Sequence, residues 1–424
     1  MNIYYKTNFF NQKKNFFFLL LCLYPWLLIS GPFLSDSVAI ILSIYYLISK
    51  ISEKDFDDFK KLIFILFCIF CIYIFLNSSF IGQKFISIKS SLFFFRFGLF
   101  ALAVCFLLEE NKDKLKYFFF SLCLVLLVLF FDSVFQKIFG INVIGIKMHH
   151  AIRVSSFFAD ELILGSYIIK ILPIILSFLY FLYRDRGDKY SIIFILIALV
   201  IVLLSAEKAS FFMIILFSLL FFPILNFSKK LKGLIVLIFF LIIASVLVFN
   251  KPIQKRLYHQ LISQSGGGKY IYSRVHQSHF KTAYKMFIDK PLFGHGPKMY
   301  RFKCSNKKYM EDRFACSTHP HNYVLQIFAE TGIIGGFFYI LFFMSIFFIF
   351  IKNIKVVKFF KNFSYTEYIL SSSLLVIFFP LATGGNIFNN WTSCINFLTI
   401  GILIYFVKSN KKLTPINSDK KFFY

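Results

Sequence analysis

Charged residues are scarce in this chain, and acidic ones are scarcest. Charged residues make up 16% of the 424 positions and hydrophobic residues 58%, with 20 Asp and Glu against 47 Lys and Arg. So little charge cannot cover the surface of a soluble domain of this length, which excludes that class. The basic excess does not by itself indicate a nucleic-acid partner, because Lys and Arg gather in the cytoplasmic loops of membrane proteins. We expect no nucleic-acid partner.

Alternating polar and apolar stretches are also missing. The apolar runs are continuous and about 17–22 residues long, which is the length of a helix that crosses a bilayer. This pattern excludes a β-barrel. The small-residue pattern of a signal-peptide cleavage site does not follow the first run, so we count that run as a span.

The apolar runs predict an all-α, polytopic integral membrane protein with about 12 transmembrane helices. One large loop between the spans contains short helices. The predicted spans are about 15–34, 36–51, 62–81, 90–108, 117–139, 161–182, 190–206, 209–227, 234–249, 332–351, 369–386 and 391–407.

Alternate loops differ in charge, which indicates the orientation of the chain. One set of loops is short and basic, as at Lys112 to Lys116 and Lys229 to Lys232, and both termini join this set. The positive-inside rule therefore places these loops and both termini in the cytoplasm. We expect four parts: an N-terminal bundle of about nine spans (1–249), a large outer loop (250–331), C-terminal helices (332–407) and a basic cytoplasmic tail (408–424).

The large outer loop breaks the charge rule. Residues 250–320 carry fourteen Lys and Arg against three acidic residues. Long loops are weakly governed by the rule, so the orientation stands. An anionic partner such as a lipid phosphate would account for the excess.

All eight histidines fall in predicted outer loops, and this favours a site on the outer face. Histidine avoids lipid, but that does not explain its absence from the cytoplasmic segments. The eight are His149, His150, His259, His276, His279, His295, His319 and His321.

Two of the eight cysteines lie outside the predicted spans. Cys304 and Cys316 are both in the large outer loop, where an oxidising compartment would let them form a disulfide. A Cys/His zinc site is the alternative, but the loop lacks the CxxC pairs that would support it. We expect the disulfide and no metal.

The segment 317–335 carries the most titratable chemistry at the entry of a span. Its pattern is helical from Asn322 to Glu330, which by itself is compatible with an ordinary interfacial helix. His321 stands at the helix start, where a neutral imidazole can accept a proton from a hydroxyl group. Gly332 and Gly335 would let another helix or a lipid tail approach closely.

Three further positions in the predicted outer loops suit an anion. Arg153 lies close to the membrane surface and can clamp phosphate oxygens, although a plain interfacial anchor is the alternative. Lys208 follows Glu207 in a short turn between two spans. Charged side chains at the membrane boundary cost solvation free energy unless they form an ion pair or serve a function. A turn from Asp289 to Pro297 contains the sequence Pro-Leu-Phe-Gly-His-Gly.

These motifs resemble the O-antigen ligase and polymerase superfamily of membrane glycosyltransferases. The family signature is His, then Asn, Ser or Gln, then nine residues and GxxG. Here His321 and Asn322 are followed by nine residues and by Gly332 to Gly335. The Pro-Leu-Phe-Gly-His-Gly turn resembles the family's upstream P-L-x-G-x-G motif. The layout of twelve spans agrees.

The resemblance implies transfer of a glycan from undecaprenyl diphosphate to a sugar hydroxyl, on the periplasmic face of the inner membrane. The acceptor is lipid A-core for a ligase and another glycan repeat for a polymerase. The transfer is inverting and needs no metal, nucleotide sugar or other cofactor. A transporter of an anionic or lipid-linked solute is the alternative from another class, but transporters tend to place ionisable groups near mid-membrane.

The resemblance also implies roles for individual residues. His321 would activate the acceptor hydroxyl, and basic residues would bind the diphosphate. Lys208 stands where the family often has Arg, so it keeps the charge but loses the bidentate fork. The expected diphosphate-binding residues are Arg153, Arg274, Arg301 and Lys208, and the expected supporting residues are His279, His319, Asn322, Glu330, Gly332 and Gly335.

Overall fold

The computed structural model describes residues 2–148, 152–183, 186–259, 272–359 and 365–413. Within these ranges the chain is helical, and the only β-pairing is a single bridge between Ile141 and Lys147. The fold is all-α, as predicted. His149, His150 and most of the basic tail lie outside the described residues.

The helices follow the apolar runs of the sequence. In chain order they are α1 (Asn2–Ile29), α2 (Pro32–Glu53), α3 (Leu62–Asn77), α4 (Phe85–Leu92), α5 (Phe95–Glu110), α6 (Leu115–Phe139), α7 (Leu164–Leu182), α8 (Gly187–Ser205), α9 (Lys208–Phe221), α10 (Lys229–Phe249), α11 (Lys251–Gln254), α12 (Arg274–Asp289), α13 (Tyr300–Lys303), α14 (Tyr323–Phe359), α15 (Tyr365–Ile377) and α16 (Asn390–Leu413).

Nine helical segments in the described ranges are long and apolar enough to cross a membrane, and two shorter apolar helices accompany them. The polytopic membrane class is therefore confirmed, while the count of twelve is not reached. The predicted span 369–386 differs most, because α15 ends at Ile377. Pro380 and two glycines follow it, and proline cannot continue a helix. Thirteen residues rise about 20 Å, less than a bilayer core.

The chain forms two compact units. The first contains α1, α6 to α11, the end of α14 and α15. Its centre is α7, which is buried along nearly its whole length and packs against α8 and α15. The Tyr167 hydroxyl donates to the Pro25 carbonyl at 2.7 Å, which ties α7 to α1.

The second unit contains most of α2, then α3 to α5, α12, α13, the first part of α14 and α16. Arg96 on α5 forms two bonds of 2.8 and 2.9 Å with the carboxylate of Asp36 on α2. Asn390 donates to the same carboxylate at 2.8 Å. This half-buried ion pair therefore connects three helices.

The helix that follows the His-Asn motif is broken at Gly332. Two helices meet there within α14, because Gly332 has the non-helical values φ 65° and ψ −166°. The break separates the short helix expected from Asn322 to Glu330 from the span expected at 332–351. The backbone amides near this break are therefore available to other partners.

Candidate active site

Helix α12 carries the first two histidines of the site. Ser273 caps the helix by accepting a hydrogen bond from the backbone N–H of His276 at 3.3 Å. His276 and His279 are three residues apart, so both rings lie on one face of α12. His279 is buried, and its Nδ1 has no hydrogen-bond partner within the described chain.

The loop before α14 brings two more histidines to this face. His321 has a positive φ of 57°, a left-handed conformation that histidine adopts more readily than most residues. Its carbonyl accepts the backbone N–H of Gly384 at 2.9 Å, while the Nε2 of His319 lies 3.3 Å from the Gly384 carbonyl. The strained loop is thus held by the segment after α15.

The four imidazoles form a cluster centred on His321. The ring centroid of His321 lies 4.2 Å from that of His319, 5.3 Å from that of His279 and 5.5 Å from that of His276. The structure therefore brings the predicted base together with both predicted supporting histidines.

The cluster keeps His321 uncharged. Burial is the main cause that lowers the pKa of His321 to about 3, and the three neighbouring histidines add to it. Burial likewise lowers the pKa of His319 to about 4. Because an imidazolium would be poorly solvated and repelled here, the resting state is a neutral imidazole with one nitrogen able to accept a proton.

Ser317 contacts the central ring. Its hydroxyl oxygen lies 3.1 Å from the Nε2 of His321. The neighbouring Cys316 is joined to Cys304 by a disulfide, with Cα atoms 5.1 Å apart. The bond connects the His321 loop to α13, and its presence in the cell stays a prediction.

Asn322, the second residue of the motif, is the N-cap of α14. Its side-chain oxygen accepts the backbone N–H of Leu325 at 2.9 Å. Its amide nitrogen donates to the carbonyls of Pro380 and Ala382 at 2.7 and 3.2 Å. Asn322 therefore begins the helix and fixes the segment that holds the histidine loop.

Glu330 anchors the turn upstream of the site. Its fully buried carboxylate accepts the backbone N–H groups of Lys298 at 3.0 Å and Tyr300 at 2.9 Å. Gln326 donates to the same carboxylate at 3.0 Å. The predicted supporting residue thus binds the backbone of the basic segment that begins α13.

The two glycine motifs are packed against each other. The backbone of Leu292 approaches Gly332 so closely that a Cβ atom at Gly332 would lie 2.2 Å from the Leu292 carbonyl oxygen. Ile333 donates its backbone N–H to Pro291 at 2.8 Å. The close approach is therefore made by the Pro-Leu-Phe-Gly turn, not by another helix or a lipid tail. Gly335 instead faces the side chain of Thr331 in its own helix.

The predicted phosphate-binding residues divide between the two units. In the second unit, Arg301 is half-buried near His319, and its Nε has no hydrogen-bond partner in the part of the chain that is described. Arg274 is 75% exposed and lies 3.6 Å from the carboxylate of Asp312. Of these two, Arg301 is the better placed beside the histidines.

In the first unit, Arg153 and Lys208 lie at the turn between α8 and α9. Arg153 donates to the carbonyls of Ser205 and Leu162 at 3.2 and 2.9 Å. Two of its guanidinium nitrogens are therefore already hydrogen-bonded within the protein. Glu207 lies 3.9 Å from Arg153, and burial raises the pKa of its carboxyl group.

Glu207 also accepts the first backbone N–H groups of α7, from Gly165 at 2.7 Å and Ser166 at 3.1 Å. Arg256 donates to the carbonyl of Ala206 at 3.0 Å and adds a third cation at this turn.

Sequence reasoning missed His276, Ser317, Lys298 and Arg256 as site residues. The sequence could have indicated His276, because it lies three residues before His279 and therefore on the same face of a helix. Ser317 opens the segment 317–335 and lies only four residues before His321. Lys298 and Arg256 carry no local signal, because their partners Glu330 and Ala206 lie far away in the chain. No group of three or more His, Cys, Asp or Glu side chains in the described ranges is arranged to hold a metal ion.

The fold and the site together define a polytopic α-helical membrane protein with a buried histidine cluster at the entry of a membrane helix. Residues 192–340 match the family model described as O-Antigen ligase. The match includes the histidine loop, both glycine motifs and the disulfide, and it confirms the resemblance to the O-antigen ligase and polymerase superfamily. A search of curated proteins found no match.

Proposed function

We propose that this chain is an O-antigen ligase-like glycosyltransferase of the inner membrane. It moves a glycan from undecaprenyl diphosphate to a sugar hydroxyl of lipid A-core on the periplasmic face. The observation that carries this proposal is the neutral, strained His321 within a four-histidine cluster, inside the region that matches the family.

In the proposed reaction, His321 removes the proton of the acceptor hydroxyl as that oxygen attacks the anomeric carbon. A new carbon–oxygen bond to the acceptor forms, the bond from the anomeric carbon to the diphosphate oxygen breaks, and the diphosphate leaves with both electrons of that bond. A single displacement inverts the anomeric centre and needs no covalent enzyme intermediate. Arg301 would stabilise the negative charge of the leaving diphosphate.

Reconstitution of the purified chain in lipid vesicles tests the proposal. The vesicles contain undecaprenyl-diphosphate glycan with lipid A-core, or the glycan donor alone. Transfer to core supports a ligase, and growth of the glycan chain supports a polymerase. Transport without transfer would exclude both.

The same assay tests the role of His321. We expect His321→Ala to lower transfer at least about 100-fold, the lower range for loss of a general base. Lys307→Gln, an exposed change in the same loop, should retain the wild-type rate. Unchanged transfer by His321→Ala would overturn the assignment of His321 as the base.

A further inference from the structure

Helix α12 has two contrasting faces. His279, Ala283 and Met286 are buried on the face that packs into the second unit. Ile288 follows His279 by nine residues, which is two and a half helical turns, so its side chain leaves the opposite face. Tyr284, one turn before Ile288, lies on the same side, and the two side chains are 57% and 56% exposed. The described chain therefore leaves this side of α12 uncovered.

The exposed apolar surface continues from the helix into the Pro-Leu-Phe-Gly turn. Leu292 is 58% exposed, and Phe293 is exposed as well. We call the side chains of Tyr284, Ile288, Leu292 and Phe293 the α12 apolar face. Single exposed apolar residues are ordinary, but four within ten residues of the chain mark a surface that contacts a partner.

Two membrane helices hold the turn in place. Asn77, near the end of α3, donates its side-chain amide to the carbonyl of Phe293 at 2.6 Å. Ile333, just after the break in α14, donates its backbone N–H to the carbonyl of Pro291 at 2.8 Å. The segments that contain α3 and α14 are both long and apolar enough to cross a membrane. The turn therefore lies at the level where these two helices meet the membrane surface.

The α12 apolar face borders a surface that lipid covers. Ile333 and Phe337, one helical turn apart at the start of the membrane-crossing part of α14, are both exposed. In a membrane protein such side chains contact the acyl chains. Because Ile333 is hydrogen-bonded to Pro291, the residue before Leu292, the lipid-facing side of α14 leads directly onto the turn.

Lysines accompany the apolar side chains on α12. Lys281 and Lys285 form ion pairs of 2.9 and 2.8 Å with the carboxylate of Glu311. Lys290, at the end of the helix, is exposed. Lysines beside aromatic and aliphatic side chains are typical of a helix that lies at the level of lipid headgroups.

We propose that the α12 apolar face is immersed in the bilayer that the chain itself spans, at the boundary between lipid headgroups and acyl chains. Its partner is the lipid surface, not a second copy of the chain. Because His279 lies on the opposite face of α12, the immersion holds the histidine cluster at the level of the headgroups. The benefit for catalysis rests on the proposed function, since a lipid-linked donor carries its diphosphate at that level.

Tryptophan fluorescence in lipid vesicles tests the immersion without any turnover. The full chain with Ile288→Trp is reconstituted in phosphatidylcholine, and the emission of the unsubstituted chain, from Trp26 and Trp391, is subtracted under the same conditions. Lipid brominated near the headgroup end of its acyl chains should quench the added tryptophan about two-fold. Lipid brominated near the chain ends should quench it less, because an interfacial helix is buried only about 5–10 Å deep.

Lys307→Trp is the matched control, because Lys307 is exposed in the same loop. Acrylamide, a quencher dissolved in the water, should quench this variant at least about three-fold more strongly than Ile288→Trp, whereas brominated lipid should leave it unchanged. Leu292→Trp repeats the measurement in the turn, so that the test stands even where Ile288→Trp does not fold.

Two results would overturn the immersion. Quenching of Ile288→Trp and Leu292→Trp by acrylamide as strongly as of Lys307→Trp would place the α12 apolar face in water. Resistance of both variants to acrylamide and to brominated lipid would show that protein covers the face.

The outcome is separable from that of the proposed function, because the vesicles contain neither donor nor acceptor. Lipid quenching in a chain that transfers no glycan would leave the immersed face standing and reject the glycosyltransferase. Full transfer without lipid quenching would reject the immersion alone.

Discussion

At the scale of single residues, His321 combines a strained backbone conformation with an uncharged imidazole ring. The left-handed backbone costs about 1–3 kcal/mol and persists because Gly384 and the Asn322 cap hold the loop on both sides. Burial and the neighbouring imidazoles disfavour a positive charge on His321. In the resting state His321 is therefore unprotonated, and one ring nitrogen keeps a lone pair.

The pH dependence of transfer follows from this arrangement. The pKa of His321, about 3, lies below the ordinary value of about 6.5, so the imidazole stays unprotonated as the pH falls from 7 to 5. We expect the rate of glycan transfer at low donor concentration to change less than about two-fold over this range. A loss approaching ten-fold per pH unit below 6.5 would contradict the buried, neutral state of His321.

At the scale of helices, the break in α14 joins the two glycine motifs. Gly332 adopts a conformation that favours glycine, and this lets Leu292 and Phe293 pack directly against the helix. The amides after the break donate to the turn instead of to the preceding helical carbonyls. The Pro-Leu-Phe-Gly turn leads on to Lys298 and Arg301. The positions of these two residues therefore depend on Gly332.

Substitution of Gly332 tests this dependence. Gly332→Ala should lower the free energy of unfolding by about 2–5 kcal/mol, from backbone strain and the clash with Leu292. The measurement is thermal unfolding in detergent, with transfer activity beside it.

Gly233→Ala, in α10, is the matched control for Gly332→Ala. Nothing lies within 4 Å of the added Cβ at Gly233, so that variant should be as stable as the wild type. A Gly332→Ala variant with unchanged stability and transfer would show that the break does not support the site.

At the scale of the whole molecule, charge is distributed unequally among the loops. The short loops with Lys229 and Lys230 are basic, as the positive-inside rule requires of cytoplasmic segments. The large loop is also basic, and it carries the disulfide and the histidine cluster. Its positive charge fits the anionic substrate of the proposed function.

Labelling of intact cells tests this orientation. A membrane-impermeant, amine-reactive reagent should modify Lys307 in the large loop and spare Lys230 before α10, both of which are exposed. After the membrane is permeabilised, both should react. Modification of Lys230 in intact cells, with Lys307 protected, would reverse the orientation and place the site in the cytoplasm.

The sequence predicted the helices well where apolar runs are long, and less well where they are short or interrupted. The segment 369–386 is apolar enough to predict a span, but Pro380 and the following glycines end α15 early. Those residues then form the non-helical segment that binds His319, His321 and Asn322. Hydropathy alone cannot distinguish the end of a span from an apolar segment whose backbone carbonyls accept hydrogen bonds from a distant loop.

The site shows the same division. The motif spacing was enough to select His321, and the disulfide partners were selected by their exclusion from the spans. Lys298 was one of fourteen basic residues in the loop and had no distinguishing neighbour. Its position depends on Glu330, which lies 32 residues away and accepts its backbone N–H.

By itself, the sequence determined the membrane class, the approximate helices, the family resemblance and the choice of His321, because these depend on local composition and short spacings. The tertiary structure alone decided which charges and rings meet. Burial sets the protonation of His321, and contacts between distant segments bring His276 and His279 to its ring. Both effects arise from desolvation and proximity, which exist only after the chain has folded.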